Sequence, residues 1–283
     1  MPQYSHMDER ARRDHYFYAE AESDLYDAAP DLNTPFYTVA HQTLQELVAQ
    51  HVSSLSNRSG CFLDVGSGTG AETIPLLEKY QRFSAVALDI CPPMHRQLEA
   101  NVIARLGLQA WRERCTALVG DIAERPNPAT NAIADKSVQF VVSAFTLHHL
   151  DEAAKLNAFR TIFELTEEGG IFVNADLYSF QSPYFAKQAE NFLIKWIDRQ
   201  HTDPEPHLRT QFDALGSRQE EFKNRWIDHV QKYNCPLPVE SRSDALAAPV
   251  GITGEAELLL RSGFREVACP MRYWQVGVVW ARK

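Results

Sequence analysis

The sequence predicts an α/β fold in which helices cover both faces of a doubly wound, mostly parallel sheet. Short apolar runs alternate with amphipathic stretches between residues 61 and 175, and the first run breaks into a glycine turn at CFLDVGSGTGAE. Polar residues or glycines also follow the ends of successive runs. Alternating strands and helices are typical of a parallel sheet, whose ligands bind beyond the carboxyl ends of the strands.

Five strands are predicted before residue 176, and a closing helix and two strands near the end of the chain. The five strands are residues 61–65, 84–88, 116–119, 138–143 and 171–175. Helices are expected over residues 71–80 and 94–106, and from the capping residue Asp151 to about Leu165. The closing elements are a helix over 254–262 and strands over 264–268 and 273–281.

Two flanking segments do not fit this alternation. Residues 1–56 are predicted to form an N-terminal helical cap, in which Thr34 caps a helix that runs from Pro35 to about His51. Residues 57–283 are predicted to form a nucleotide-binding domain that contains a helical insertion over 177–250. Both segments carry aromatic residues that the sheet does not require, and we expect residues 10–37 and 177–250 to form a lid. These aromatic residues are Tyr16, Phe17, Tyr18, Tyr26, Phe36, Tyr37, Tyr178, Phe185, Trp196, Trp226 and Tyr233.

Composition disfavours several classes of protein. The net charge of the 283 residues is −9, and an acidic chain gains nothing from a phosphate backbone, so nucleic-acid binding is not expected. No apolar run is long enough to span a membrane, and the polar N-terminus does not resemble a signal peptide. The five cysteines are widely spaced without a CxxC pair, which favours reduced thiols and a cytoplasmic location.

The glycine turn favours one kind of ligand over another. The loop fits the dinucleotide fingerprint GxGxxA through Gly66, Gly68 and Ala71, but this match alone is weak. Asp64 lies at the strand end just before the turn, where a carboxylate repels pyrophosphate and attracts an ammonium group. An amino-acid-bearing nucleotide is therefore favoured over NAD. Asp89 ends the second strand and is the expected partner of ribose hydroxyls.

The segment LDVGSGTG resembles the first motif of class I S-adenosylmethionine-dependent methyltransferases. This resemblance implies a Rossmann-like, seven-stranded sheet whose last strand is antiparallel, with S-adenosylmethionine as cofactor and S-adenosylhomocysteine as product. LDICPPM resembles the second motif of the family, and Asp121 with Ile122 resembles the third. The cofactor-binding residues that it implies are Tyr37, Asp64, Gly66, Ser67, Gly68, Gly70, Asp89, Ile90, Met94, Asp121, Ile122, Ser143 and Ala144.

The resemblance further implies methyl transfer to a small-molecule acceptor. FTLHHL resembles the fourth-strand segment of small-molecule methyltransferases, and His148 is the predicted base because its pKa normally lies near neutrality. The other predicted acceptor residues are His149, Asp176, Tyr178, Arg225 and Trp226. No metal is expected, because the adjacent histidines lack an acidic pair. A homodimer is left open.

Two alternatives remain at the level of the sequence. A carboxy-S-adenosylmethionine synthase-like enzyme is suggested by Tyr37, by VVSAFTL and by Arg225, whereas Ala144 stands where that group has asparagine. A non-catalytic, cofactor-binding subunit is the second alternative, because intact cofactor motifs do not establish turnover.

Overall fold

A computed structural model of the chain describes residues 29–56, 58–232 and 250–283. Its strands are β1 (Gly60–Val65), β2 (Phe83–Asp89), β3 (Cys115–Val119), β4 (Val138–Ala144), β5 (Thr166–Leu177), β6 (Glu266–Tyr273) and β7 (Val276–Arg282). They form one seven-stranded sheet in the order β3-β2-β1-β4-β5-β7-β6. Strands β1 to β5 pair in parallel, and β7 pairs antiparallel with both β5 and β6. The predicted doubly wound, mostly parallel sheet is confirmed.

The helices flank this sheet. They are α1 (Pro30–Asn33), α2 (Tyr37–Ser54), α3 (Thr73–Lys79), α4 (Pro92–Leu106), α5 (Leu108–Arg114), α6 (Pro128–Asn131), α7 (Glu152–Leu165), α8 (Pro183–Thr202), α9 (Arg209–Ala214), α10 (Gln219–Lys232) and α11 (Ile252–Arg261). None of these helices is both long and apolar enough to cross a membrane.

Each strand presents alternate side chains to two separate cores, as the pleat requires. In β1, Phe62 packs into the core beneath α2, α3 and α4, whereas Leu63 packs into the core beneath α7 and α11. The strands are apolar on both faces because both faces are covered. This burial on both sides leaves the strand ends as the places where polar residues can meet a ligand.

The start of α2 differs from the prediction for a local reason. Phe36 adopts a left-handed conformation (φ 68°), so the helix begins at Tyr37 rather than at Pro35. The N–H of Thr38 is capped by the carboxylate of Asp31 at 2.9 Å and not by Thr34. Within the predicted helical insertion, Gly216 (φ 53°) separates α9 from α10.

The N-terminal segment and the insertion pack against each other in one layer. Ala29 and Leu32 share an apolar cluster with Leu208, Leu215 and Phe222. Gln211 of α9 accepts a hydrogen bond from the backbone of Asp31 and donates one to its carboxylate, each at 3.1 Å. The two predicted lid segments are therefore one packed unit where they are described. Residues 10–28 and 233–249 of the predicted lid lie outside the described residues.

Candidate active site

A cavity of about 540 Å³ opens at the carboxyl ends of β1 to β4. This volume lies within the range of small-molecule sites. The lining includes residues 64–69, 71–72, 88–91, 94, 120–124, 144–147 and 149–151, together with Tyr37 and His41 of α2. The lining contains aspartates, glutamates and histidines but no lysine or arginine among the described residues. The wall therefore suits a ligand that carries positive charge rather than pyrophosphate.

The three glycines of the loop have different local roles. A side chain at Gly66 would overlap Thr146, and one at Gly70 would overlap Leu98, so these two positions allow the loop to pack closely on its neighbours. Gly68 (φ 51°) lines the cavity, and a Cβ there would meet nothing nearer than the Gly66 carbonyl oxygen at 4.0 Å. A side chain at Gly68 would thus occupy ligand space instead of disturbing the core. The buried hydroxyl of the adjacent Ser67 has no hydrogen-bond partner among the described residues.

Asp64 is a buried carboxylate at the end of β1. The hydroxyl of Thr73 donates to its Oδ2 at 2.6 Å. The pKa of Asp64 is raised to about 7, chiefly by burial; the hydrogen bond from Thr73 opposes this rise, and the neighbouring carboxylates of Glu72 and Asp89 contribute to it. When a cation binds beside a carboxyl group with a raised pKa, the positive charge lowers that pKa and favours the ionised form.

The end of β2 is tied to the glycine loop through Asp89. The N–H of Gly68 donates to Asp89 Oδ2 at 2.9 Å, and the N–H of Cys91 donates to Oδ1 at 2.8 Å. Burial raises the pKa of Asp89, and these two backbone N–H groups partly offset that effect. At the end of β3, Asp121 Oδ1 accepts from the N–H of Ala123 at 2.8 Å. Both carboxylates are thereby fixed at the cavity edge.

An aromatic wall faces these strand ends. Tyr37 is stacked on Phe145, with ring centroids 4.9 Å apart and an interplanar angle of 18°. Phe145 follows β4 in a left-handed conformation (φ 48°), and its N–H is fixed by the Ala175 carbonyl at 2.8 Å. Non-glycine residues adopt this conformation at a cost, and such strain is concentrated at functional sites. Phe36, the left-handed residue before Tyr37, packs on Tyr273 at 4.0 Å.

A histidine–carboxylate pair, His41 and Glu72, also lines the cavity. His41 Nδ1 bonds Glu72 Oε1, and Gln45 donates to Glu72 Oε2 at 3.2 Å. The imidazole lies 4.1 Å from the Tyr37 ring and 5.6 Å from the Phe145 ring. His41 Nε2 is buried and has no partner among the described residues.

Comparison with known proteins agrees with this geometry. Residues 62–170 match the family model described as a methyltransferase domain. The chain is 29% identical over 122 residues to malonyl-[acyl-carrier protein] O-methyltransferase from Nitrosospira multiformis, a match that covers 39% of this chain and 36% of that protein. The chain thus spans about a third of the length of this curated relative.

The fold recurs in solved structures. Magnesium protoporphyrin IX methyltransferase from Synechocystis PCC 6803, solved with bound S-adenosylhomocysteine, gives a TM-score of 0.56 at 11% identity, covering 96% of this chain and 99% of that one. A proposed S-adenosylmethionine-dependent methyltransferase from Methanococcus maripaludis gives 0.51 at 16% identity, covering 94% of each chain. At these identities the likeness establishes the fold.

Residues 62–170 thus carry a methyltransferase domain. The match and the seven-stranded sheet agree with the resemblance to class I S-adenosylmethionine-dependent methyltransferases that the sequence motifs indicated. Among the described residues, no group of three or more histidines, cysteines and acids is arranged to hold a metal ion.

The cavity brings together most of the cofactor residues predicted from the sequence of this methyltransferase domain. Those that line it are Tyr37, Asp64, Gly66, Ser67, Gly68, Asp89, Ile90, Met94, Asp121, Ile122 and Ala144. Gly70 and Ser143 are not part of the lining. The Ser143 hydroxyl donates to the Val65 carbonyl at 2.9 Å and so joins the ends of β4 and β1.

The predicted acceptor residues are divided. His149 lines the cavity, whereas His148, Asp176 and Tyr178 are buried outside its lining. His148 Nδ1 bonds Asp176 Oδ1 at 2.6 Å. Trp226 of α10 packs in the insertion, with its ring 6.2 Å from that of Phe222. Arg225 belongs to α10, but its side chain lies outside the description.

Sequence reasoning missed His41, Glu72 and Phe145 as cavity residues. Two signals were available. His41 follows Tyr37 by four positions, so both side chains lie on one face of α2. Glu72 directly follows the glycine loop, at the N-cap of α3, where the turn directs it back towards β1. Phe145 carries no such signal, because its inclusion depends on the left-handed turn after β4.

Proposed function

We propose that this protein is an S-adenosylmethionine-dependent methyltransferase that acts on a small-molecule acceptor. The observation that carries the proposal is the cavity at the strand ends, where the open position at Gly68 adjoins the carboxylates of Asp64 and Asp89. A sulfonium cofactor that carries an ammonium group and a ribose offers a partner for each of these features.

The chain's own residues would divide the work of binding. Asp64 would hold the ammonium group, and Asp89 the ribose hydroxyls. Ile90, Met94 and Ile122 would enclose the adenine, with Asp121 near its amino group. S-adenosylmethionine, when bound, supplies an electrophilic methyl group, so the protein needs chiefly to position an acceptor in line with it.

One wall of the cavity is aromatic. Tyr37 and Phe145 stack over the cavity and would exclude water from the reacting groups. A sulfonium is a cation, and aromatic faces attract cations by about 0.5–2 kcal/mol when water is excluded. The size of the cavity supports a small acceptor. His149 is the predicted acceptor residue that lines it. The predicted base His148 stays a prediction, with Asp176 as the group that would orient it.

Isothermal titration calorimetry with S-adenosylhomocysteine and with NAD tests the cofactor side. We expect S-adenosylhomocysteine to bind and NAD not to bind, because no lysine or arginine among the described residues lines the cavity for a pyrophosphate. Tight NAD binding without a response to S-adenosylhomocysteine would overturn the proposal.

Two matched glycine variants assign that binding to the loop. Gly68→Val should abolish binding of S-adenosylhomocysteine. Gly216→Val is the control, since Gly216 has nearly the same φ (53° against 51°), open space around its Cβ and no place in the cavity. Both variants carry the same backbone strain, on the order of 1–2 kcal/mol, so only the ligand space differs. Normal binding by a folded Gly68→Val variant would show that the loop is not the site.

A further inference from the structure

We infer that His41 is the residue that holds the carboxylate of the cofactor's amino-acid moiety, with Glu72 as the group that orients it. The inference rests on the proposed function and extends it to a residue that the sequence motifs do not contain. His41 lines the cavity and is only 7% exposed, and its Nε2 has no partner among the described residues.

The chemistry of the ligand favours a cationic hydrogen-bond donor near Asp64. An amino-acid moiety carries an ammonium group and a carboxylate on the same carbon. A site that binds both groups therefore places an acidic side chain, for the ammonium group, next to a basic side chain, for the carboxylate. Asp64 supplies the acid. His41 and His149 are the basic side chains among the described residues of the lining, and they lie on different segments, α2 and the turn after β4.

The position of Glu72 selects His41 over His149. Glu72 bonds His41 directly, and its charge also acts on Asp64, so all three groups share one corner of the cavity. Thr73, the residue next to Glu72, donates to Asp64 at 2.6 Å. His149 instead packs against His148, with ring centroids 4.1 Å apart. The acid and base that the zwitterion needs are therefore adjacent only on the side of α2.

The contact with Glu72 also determines which ring nitrogen of His41 is available to a ligand. A carboxylate that accepts from Nδ1–H leaves Nε2 as the atom available to a ligand, and an imidazolium held by Glu72 would donate from Nε2. A buried nitrogen without a partner destabilises the protein unless something else satisfies it. The ligand carboxylate would be that partner, and the flanking rings of Tyr37 and Phe145 would shield the contact from water.

The test compares two ligands that differ in the amino-acid moiety. S-adenosylhomocysteine carries it, and 5′-methylthioadenosine lacks it. His41→Ala should weaken the binding of S-adenosylhomocysteine by about 10- to 100-fold, the range for one hydrogen bond to a charged group. The affinity for 5′-methylthioadenosine should not change. His41→Gln, which keeps an N–H donor and most of the volume, should lose less and remains informative if the alanine variant does not fold.

His51→Gln is the matched control on the same helix. His51 contacts the Gln139 carbonyl at 3.1 Å and does not line the cavity, so this variant should bind both ligands as the wild type does. Thermal unfolding of each variant checks the fold. Equal losses for both ligands, or no loss for either, would overturn the inference. If the wild type binds neither ligand, the proposed function itself fails, which is a separate outcome.

Discussion

Two histidine–carboxylate pairs lie on opposite faces of the sheet and have opposite surroundings. His148 and Asp176 are joined to a buried network in which Asn174 donates to Glu255 at 2.8 Å and Lys155 donates to Glu255 at 3.1 Å. His41 and Glu72 line the cavity, and the far nitrogen of His41 is left without a partner among the described residues.

The comparison shows that the same pair of groups serves packing or binding according to what surrounds it. Burial opposes ionisation of Asp176, but the charge of His148, its hydrogen bond and the charge of Lys155 together hold the pKa of that carboxyl below its usual value. The two oxygens of Asp176 contact His148, the N–H of Leu177 and the amide of Asn174. A pair whose carboxylate is tied into a buried network stabilises a core, whereas a pair that leaves a buried nitrogen facing a cavity is suited to a ligand.

The largest expected effect is on stability, at the centre of the buried network. Glu255→Ala would leave Lys155 charged and buried without its partner, and would remove the acceptor of Tyr178, whose hydroxyl donates at 2.9 Å. Breaking a buried pair in this way costs about 3–5 kcal/mol. Urea unfolding should show that loss while S-adenosylhomocysteine affinity of the folded protein is retained.

Glu257→Ala supplies the control for that experiment. Glu257 lies on the same helix but is exposed, so its removal should change the free energy of unfolding by less than about 0.5 kcal/mol. Similar losses for the two variants would mean that the network does not stabilise the core as the contacts indicate.

A second prediction compares one substitution in each pair, of which one should affect stability and the other should affect binding. Asp176→Asn should lower the free energy of unfolding by about 1–3 kcal/mol and leave S-adenosylhomocysteine affinity unchanged, because Asp176 does not line the cavity. Glu72→Gln should weaken that affinity by roughly 3- to 10-fold, since His41 loses the anion that orients it. Calorimetry measures the affinity of both variants for S-adenosylhomocysteine, and denaturant unfolding measures their stability. If both variants lost affinity equally, the distinction between the pairs would be wrong.

The third prediction concerns the proton on Asp64. Burial raises its pKa to about 7, so at about pH 6 the ligand-free carboxyl is mostly protonated. An ammonium group favours the ionised form, so binding should release up to about one proton, and affinity should rise as the pH rises through 7. Titrations in buffers of different ionisation enthalpy count the protons. Asp64→Asn should abolish this proton release, which would assign the proton to Asp64 rather than to Glu72, Asp89 or His41.

The same raised pKa sets the sign of a stability effect without ligand. Because the folded pKa lies above the ordinary value of 3.8, Asp64 stabilises the fold fully below that value, and this contribution is lost as the pH rises through 7. Asp64→Asn should therefore flatten the decline in stability between about pH 4 and 7. An unchanged pH dependence of unfolding would show that Asp64 is already ionised in the free protein.

The difference between the two pairs also marks what the sequence could predict. The sheet and the cofactor side follow from local patterns, since the apolar runs predict strands and Asp64, Gly68 and Asp89 lie at their ends. The division between cavity and core does not follow, because His148 and His149 are adjacent in sequence and the turn after β4 decides which one lines the cavity. Glu255 is 77 to 100 residues from its partners Tyr178, Asn174 and Lys155, a separation that no local pattern reveals.

The smallest expected effect tests how far the lid takes part in binding. The sequence predicted that residues 10–37 and 177–250 gain protection when cofactor and acceptor bind. In the structure the described helices of the insertion pack on α1 through Gln211 and Asp31, and none of their residues lines the cavity. With S-adenosylhomocysteine alone, hydrogen exchange should therefore slow modestly at the start of α2, where Tyr37 and His41 line the cavity, and should not change in α8 and α9. The helix turn after His51, which is distant from the cavity, gives the baseline on the same element.

Equal slowing in α8 and α9 would mean that the whole layer closes on the cofactor, and the contact between Asp31 and Gln211 would then be the coupling to remove next. Asp31→Ala, which removes the carboxylate that accepts from Gln211 and Thr38, would restrict the slowing to α2 in that case. If no segment slowed, including the first turn of α2, the aromatic wall would be permanent packing and Tyr37 would have no part in holding the cofactor.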